Sequence, residues 1–228
     1  MTCMKKDISE LAHGKKSFLF LFLGLIFLLL IYPFVEGSDQ QWNAWIFLLS
    51  YSGILSAIIY TISYSLKQFL IAFTFLIAIV LLYFYPSQNA QEIALSLHIL
   101  FYVYLISIVL PYVLKHKRAD IEDLYASVSL YILLGLAWSS IYQAIEFYSP
   151  NAFQIHRNEI PDALRVSDLI YFSFTTLTTL GYGDVTPVLS QAKMVSIIEA
   201  IMGVLFLSTI ISRTIGLYIY ELKEKEEQ

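Results

Sequence analysis

Long apolar runs recur from one end of the chain to the other, and they restrict its fold to one built inside a lipid bilayer. Six stretches of spanning length fall at about 17–35, 42–65, 68–85, 91–114, 124–148 and 190–217, and a shorter one falls at 167–178. Hydrocarbon offers no partners to backbone amides and carbonyls, so each long run is read as a helix that satisfies its own backbone. The expected fold class is an all-α membrane protein with six transmembrane helices. Composition excludes the soluble alternatives: 58% of the 228 residues are hydrophobic and only 14% are charged. The net charge of −4 comes with no basic stripe, so no nucleic-acid partner is expected. Cys3 stands alone, which rules out an intrachain disulfide and a cysteine-type metal site.

The cations set the topology. With the N-terminus inside, Lys5, Lys6, Lys15, Lys16, Lys67, Lys115, Lys117, Arg118, Arg213, Lys223 and Lys225 fall on the inner side, and Arg157, Arg165 and Lys193 on the outer. That excess matches the positive-inside rule and puts both termini in the cytoplasm of a multi-pass cell-membrane protein (plasma or inner membrane). The first run has a basic flank like a signal peptide. Its apolar core is long for one, however, and no small-residue cleavage site follows Tyr32-Pro33-Phe34, so it is read as a retained helix. Trp42 and Trp45 suit an interfacial belt at the start of the second run.

The segment 167–178 has about twelve residues, or roughly 18 Å of helix, a little over half the hydrocarbon thickness. It is read as a re-entrant helix entering from outside. Ser167 and Asp168 suit its N-terminus, where a cap and a carboxylate meet free amides. Its C-terminal dipole end points toward the membrane centre, where it favours a cation.

Directly after it the chain reads Thr179-Leu180-Gly181-Tyr182-Gly183-Asp184. A fixed Thr-x-Gly-Tyr-Gly-Asp arises by chance in a chain of this length with a probability on the order of 10⁻⁴. A dehydrated K⁺ needs about eight oxygens in place of its water, and rings of backbone carbonyls supply them where side chains cannot pack closely enough. Carbonyls of successive residues align when the backbone alternates between right- and left-handed conformations, and Gly181 and Gly183 enter the left-handed region without a Cβ penalty. The inward groups are then the carbonyls of Thr179, Leu180, Gly181 and Tyr182, with the Thr179 hydroxyl adding a ring; the side chains of Leu180 and Tyr182 face outward as packing. One such segment makes one wall of a tube. Since the motif occurs once, four identical chains around one axis are required.

The run Tyr171-Phe172-Ser173-Phe174-Thr175-Thr176-Leu177-Thr178-Thr179-Leu180-Gly181-Tyr182-Gly183-Asp184-Val185-Thr186-Pro187 resembles the tetrameric potassium channels, and prokaryotic members especially. The resemblance covers 120–217 and implies an outer helix, a pore helix, a selectivity filter and an inner helix. It divides the chain into a cytoplasmic segment at 1–16, a four-helix peripheral domain at 17–115, a pore domain at 116–217 and a short cytoplasmic tail at 218–228. It also implies K⁺ at Thr179, Leu180, Gly181 and Tyr182, with Gly183 completing the filter. Filter support would come from Thr175, Thr176, Thr178, Asp184 and Tyr171. Many relatives carry two tryptophans where this chain has Tyr171 and Phe172, and valine at Leu180. Phe172 has no hydrogen to donate to Tyr182, whereas Tyr171 is able to reach Asp184 and Thr176 to meet the Tyr182 hydroxyl.

Gly203 lies twenty residues after Gly183, where similar channels have a hinge glycine in the inner helix, and it is read as the gate hinge, with close helix packing as the alternative. Gly216 is read as packing, and Arg213 as marking the inner mouth or snorkelling. Glu199 is an ionisable group inside a span and is expected to bond to the back of the pore helix at Thr175 or Thr178. Glu146 is read as an interface or filter-support carboxylate, and His98 as bonded to a neighbouring helix. The segment 149–166, with His156, Arg157, Glu159, Asp162 and Arg165, reads as a solvated outer turret. The fourth span carries no lysine or arginine from Ile93 to Leu110, and Lys67 is placed in a cytoplasmic turn, so no ladder of gating charges is expected. The expectation is a passive K⁺ channel without a cofactor and not an enzyme. A less selective cation pore and a non-conducting accessory subunit with the same pore fold are the alternatives.

Overall fold

The computed structural model describes residues 17–35, 66–83, 85, 87–115, 120–156 and 164–226. The expected span at 42–65, Trp42, Trp45, the segment 1–16 and Arg157, Glu159 and Asp162 of the turret lie outside the described residues. The elements in order are α1 (Ser17–Val35), α2 (Leu66–Tyr83), α3 (Gln88–Lys115), α4 (Ile121–Tyr148), β1 (Phe153–Ile155), α5 (Val166–Leu177), β2 (Val185–Pro187) and α6 (Ser190–Phe206). A π-helical turn (Leu207–Ile211) then joins α6 to α7 (Ser212–Glu226). Among the described residues, three helical stretches, Gln88–Leu114, Ile121–Tyr148 and Ser190–Glu224, are long and apolar enough to cross a membrane; Phe18–Ile31 and Leu70–Leu82 are shorter apolar helices. Lys67 falls in the first turn of α2 and not in a turn between helices.

Two compact units are distinguished, one made of Met1–Ile77, Ile108–Leu130 and Arg213–Gln228, the other of Ala78–Ser107 and Tyr131–Ser212. In the first, α1 is apolar all round, so no polar face dictates which side packs. Phe18, Leu21, Leu25 and Leu28 form the buried stripe, and the free amide of Phe18 is met by the Glu122 carboxylate at 2.9 Å. The Arg213 guanidinium donates to the carbonyls of Val113 and Leu114 in the last turn of α3 at 3.0 and 3.1 Å. Arg213 thus acts as a helix C-cap, where a cation meets orphan carbonyls and the negative dipole end, instead of merely snorkelling. Beside it, the Ser127 and Thr214 hydroxyls lie 3.0 Å apart.

In the second unit α5 is the element that the others enclose. Tyr142, Phe153 and Phe172 make a triangle of edge-on rings with centroids 5.0 to 5.4 Å apart, and Ala152, Leu169, Val185 and Ala192 close the cluster around them. β1 and β2 pair antiparallel, Gln154 opposite Thr186, so the segment expected as a solvated turret includes a strand tied to the chain that follows the glycine motif. Glu146 stabilises the turn before β1 by accepting from the amides of Asn151 (2.7 Å) and Phe153 (3.1 Å). Asn151 has φ 68°, a left-handed conformation that asparagine tolerates. The His98 Nδ1 lies 3.0 Å from the Ala94 carbonyl of its own helix.

Candidate functional site

α5 begins one residue earlier than the sequence indicates. Arg165 takes the N-cap position, and its amide is accepted by the Asp168 carboxylate at 3.0 Å, the reciprocal half of a capping box. At the other end the helix unwinds onto its own last turn. The Thr179 amide donates to the Thr176 carbonyl (2.9 Å), while the amides of Leu180 (2.8 Å) and Gly181 (3.1 Å) both donate to the Thr175 carbonyl. Thr175 and Thr178 turn their hydroxyls back onto the carbonyls of Phe172 and Phe174.

Beyond this point the backbone alternates. Thr179 has φ 62°, Gly181 φ 54° and Gly183 φ 79°, and the residues between them are not in the positive-φ region. The two glycines adopt this conformation freely. Thr179 does not: a β-branched residue in the left-handed region is an outlier that costs roughly 1–3 kcal/mol and persists where its surroundings impose it. The sequence indicated the two glycines, and nothing in it indicated the threonine.

Residues 178–184 are exposed along the whole loop, with Leu180 and Tyr182 57% and 68% exposed in the single chain. The Tyr171 hydroxyl donates to the Asp184 carboxylate at 2.7 Å, as its position suggested. That acceptor, before any desolvation, pushes the Tyr171 hydroxyl up to about 12, so it keeps its proton and stays a donor. The rings of Tyr171 and Tyr182 stack with centroids 6.4 Å apart. Thr176 is not brought to the Tyr182 hydroxyl within one chain. The loop's exit is fixed by the His156 amide, which donates to the Asp184 carbonyl at 2.7 Å, and by the His156 ring, 3.0 Å from the Thr186 hydroxyl.

Two buried residues, Glu199 and Gly203, lie against α5. Glu199 is completely buried, but its carboxylate meets Ser173 and Tyr142, not Thr175 or Thr178. The two threonines are already committed to carbonyls of their own helix, and Ser173 is the hydroxyl on the face of α5 turned to α6. Gly203 is closely packed against the end of α5. A Cβ there would lie 2.0 Å from the Leu177 carbonyl oxygen, the same oxygen that accepts the Tyr131 hydroxyl at 3.0 Å. The irregularity in the last span lies one turn later, in the π-helical residues Leu207–Ile211. Gly216 has open space around it.

Residues 128–219 match the family described as ion channel. The chain is 30% identical over 100 residues to Protein LctB of Bacillus caldotenax, an alignment covering 43% of this chain and 74% of that protein. The chain belongs to the ion channel family. The channel is also 28% identical over 103 residues to Protein LctB of Geobacillus stearothermophilus, with 43% of the channel and 74% of that protein covered. It is 39% identical over 59 residues to two pore potassium channel c of Oryza sativa subsp. japonica, covering 26% of the channel and 13% of the rice protein. No solved structure matches it. The matched residues contain α5, the loop and α6, so the site just described lies inside the family region of a multi-pass membrane protein.

Proposed function

We propose that the chain is one subunit of a homotetrameric, passive, K⁺-selective channel, with six transmembrane helices, a re-entrant pore helix at α5 and both termini in the cytoplasm of the cell membrane. The observation that carries this reading is the alternation of left-handed residues at Thr179, Gly181 and Gly183. Such alternation points the intervening carbonyls the same way, as a dehydrated cation requires. The ions would be held by Thr179, Leu180, Gly181, Tyr182 and Gly183, with the Tyr171 to Asp184 bond bracing the outer end. The exposure of Leu180 and Tyr182, with that of Met194, Ile197, Ile198, Ile201 and Leu205 along one side of α6, supports neighbours around a shared axis. The rice relative, named as a potassium channel, supports K⁺ as the permeant ion.

The test is flux from proteoliposomes carrying the full chain, with K⁺ or Na⁺ as the driven ion. The expected result is a strong preference for K⁺; equal permeability refutes the assignment. The same vesicles, fused to a planar bilayer, test a second expectation. A charge crossing the field is worth about 2.3 kcal/mol per 100 mV, so steep voltage gating needs several moving charges per subunit. α3 has no lysine or arginine before Lys115. Conductance in symmetrical K⁺ is therefore expected to vary weakly between about −100 and +100 mV, equivalent to about one effective charge or fewer. A slope worth several charges, with matching gating currents, would contradict it.

A further inference from the structure

We infer that Glu199 carries a proton, and that as a neutral donor and acceptor it is the residue that positions the pore helix from behind. The protonation stands on the geometry alone; the positioning role rests on the channel reading above. Three oxygen–oxygen contacts meet at this point. The Tyr142 hydroxyl of α4 lies against Glu199 Oε2, Ser173 Oγ of α5 lies 2.6 Å from Glu199 Oε1, and the same Ser173 Oγ lies 2.7 Å from the Gly135 carbonyl oxygen of α4. Each contact at such a distance contains one hydrogen. The Tyr142 and Ser173 hydroxyls supply two, and a backbone carbonyl supplies none. The third sits on Glu199.

The arrangement that satisfies every atom runs in one direction. Tyr142 donates to Glu199, Glu199 donates to Ser173, and Ser173 donates to the Gly135 carbonyl. An ionised carboxylate would leave two proton-free oxygens pressed together at one of these contacts. It would also be a bare charge at membrane depth, since Glu199 is 0% exposed and both its partners are neutral hydroxyls. The chain of bonds crosses from α4 to α6 to α5 and back to α4, and so fixes the rotation of α5 about its own axis. Gly135 permits the approach, because a Cβ there would lie 2.7 Å from the Phe174 ring. Four residues after Ser173 the helix ends at Leu177, and the loop takes its direction from that end.

Infrared spectroscopy of the full chain in lipid vesicles at neutral pH reads the proton directly. The expected result is a protonated-carboxyl stretching band in the unmodified protein that shifts in D₂O and is missing from Glu199→Gln. K⁺ flux from the same vesicles reads the positioning role. Glu199→Leu removes the link between the Tyr142 and Ser173 hydroxyls and is expected to lower flux about tenfold or more. Glu199→Gln, whose amide donates and accepts in the same places without charge, is expected to hold flux within about threefold of the unmodified protein. A missing band, or a glutamine variant as impaired as the leucine one, overturns the inference. Should Glu199→Leu fail to assemble, the band and the glutamine variant still decide. An unmodified protein that passes no K⁺ refutes the channel reading and with it the positioning role, while the band still decides the proton.

Discussion

Gly181→Ala is expected to abolish K⁺-selective conduction while leaving the protein in the membrane. Gly181 has φ 54°, and an L-residue with a Cβ costs about 1–2 kcal/mol in that region. Within one chain nothing lies within 4 Å of the Cβ that alanine would add, so the penalty inside a subunit is conformational and not steric. A four-fold assembly would incur it four times, roughly 4–8 kcal/mol in a segment already holding Thr179 in the same strained region. In the proposed tetramer the backbone would relieve this by letting φ turn negative, which would rotate a carbonyl off the axis and break one oxygen ring. Proteoliposome flux with K⁺ against Na⁺ measures the outcome, and an unchanged ion ratio in the alanine variant would show that the left-handed conformation is not what conduction needs. Gly183, at φ 79°, is expected to behave in the same way.

Gly203→Ala should lose stability and function together, instead of shifting gating alone. Replacing a helical glycine by alanine ordinarily gains about 1 kcal/mol. Here the new methyl would sit 2.0 Å from the Leu177 carbonyl oxygen, far inside contact distance, and that oxygen is part of the backbone and bonded to Tyr131. It has no rotamer through which to retreat. Overpacking of this kind costs roughly 1–3 kcal/mol, and more where the obstacle is backbone, so the clash outweighs the helical gain. Because Leu177 is the last residue of α5, the displacement passes straight into the loop. Thermal unfolding in detergent and K⁺ flux are both expected to fall well below the unmodified protein. Gly216→Ala is the control: its surroundings are open, and alanine there is expected to be neutral or slightly stabilising. Two variants of equal stability would mean that α6 does not pack against the end of α5 as described.

What the sequence determined by itself is what depends on residue type and near neighbours. Apolar runs of spanning length specify helices in hydrocarbon whatever surrounds them, which is why α1 and α4 begin and end within a few residues of their expected limits. Two glycines flanking Tyr182 specify a backbone able to turn left-handed, because that freedom is a property of the residue. Asp168 near the start of α5 and Tyr171 thirteen residues before Asp184 were readable for the same reason, the first from helix chemistry and the second from a resembling motif. Only the tertiary structure decided which distant groups meet. Glu199 was readable as a costly buried acid, but its partners are 26 and 57 residues away, and helix periodicity does not say whether Ser173 or Thr175 faces it. Gly203 was readable as either a hinge or a packing glycine, and that the Leu177 carbonyl lies over it is a fact of helix contact that no spacing encodes. Thr179 is left-handed because Thr175 and Thr176 draw the following amides back onto the helix end, overriding the preference of a β-branched residue. The pairing of Gln154 with Thr186 joins segments separated by the whole of α5. Contacts of this kind are set by packing over long sequence separations, and packing selects among local conformations whose energies differ by only about 1–3 kcal/mol.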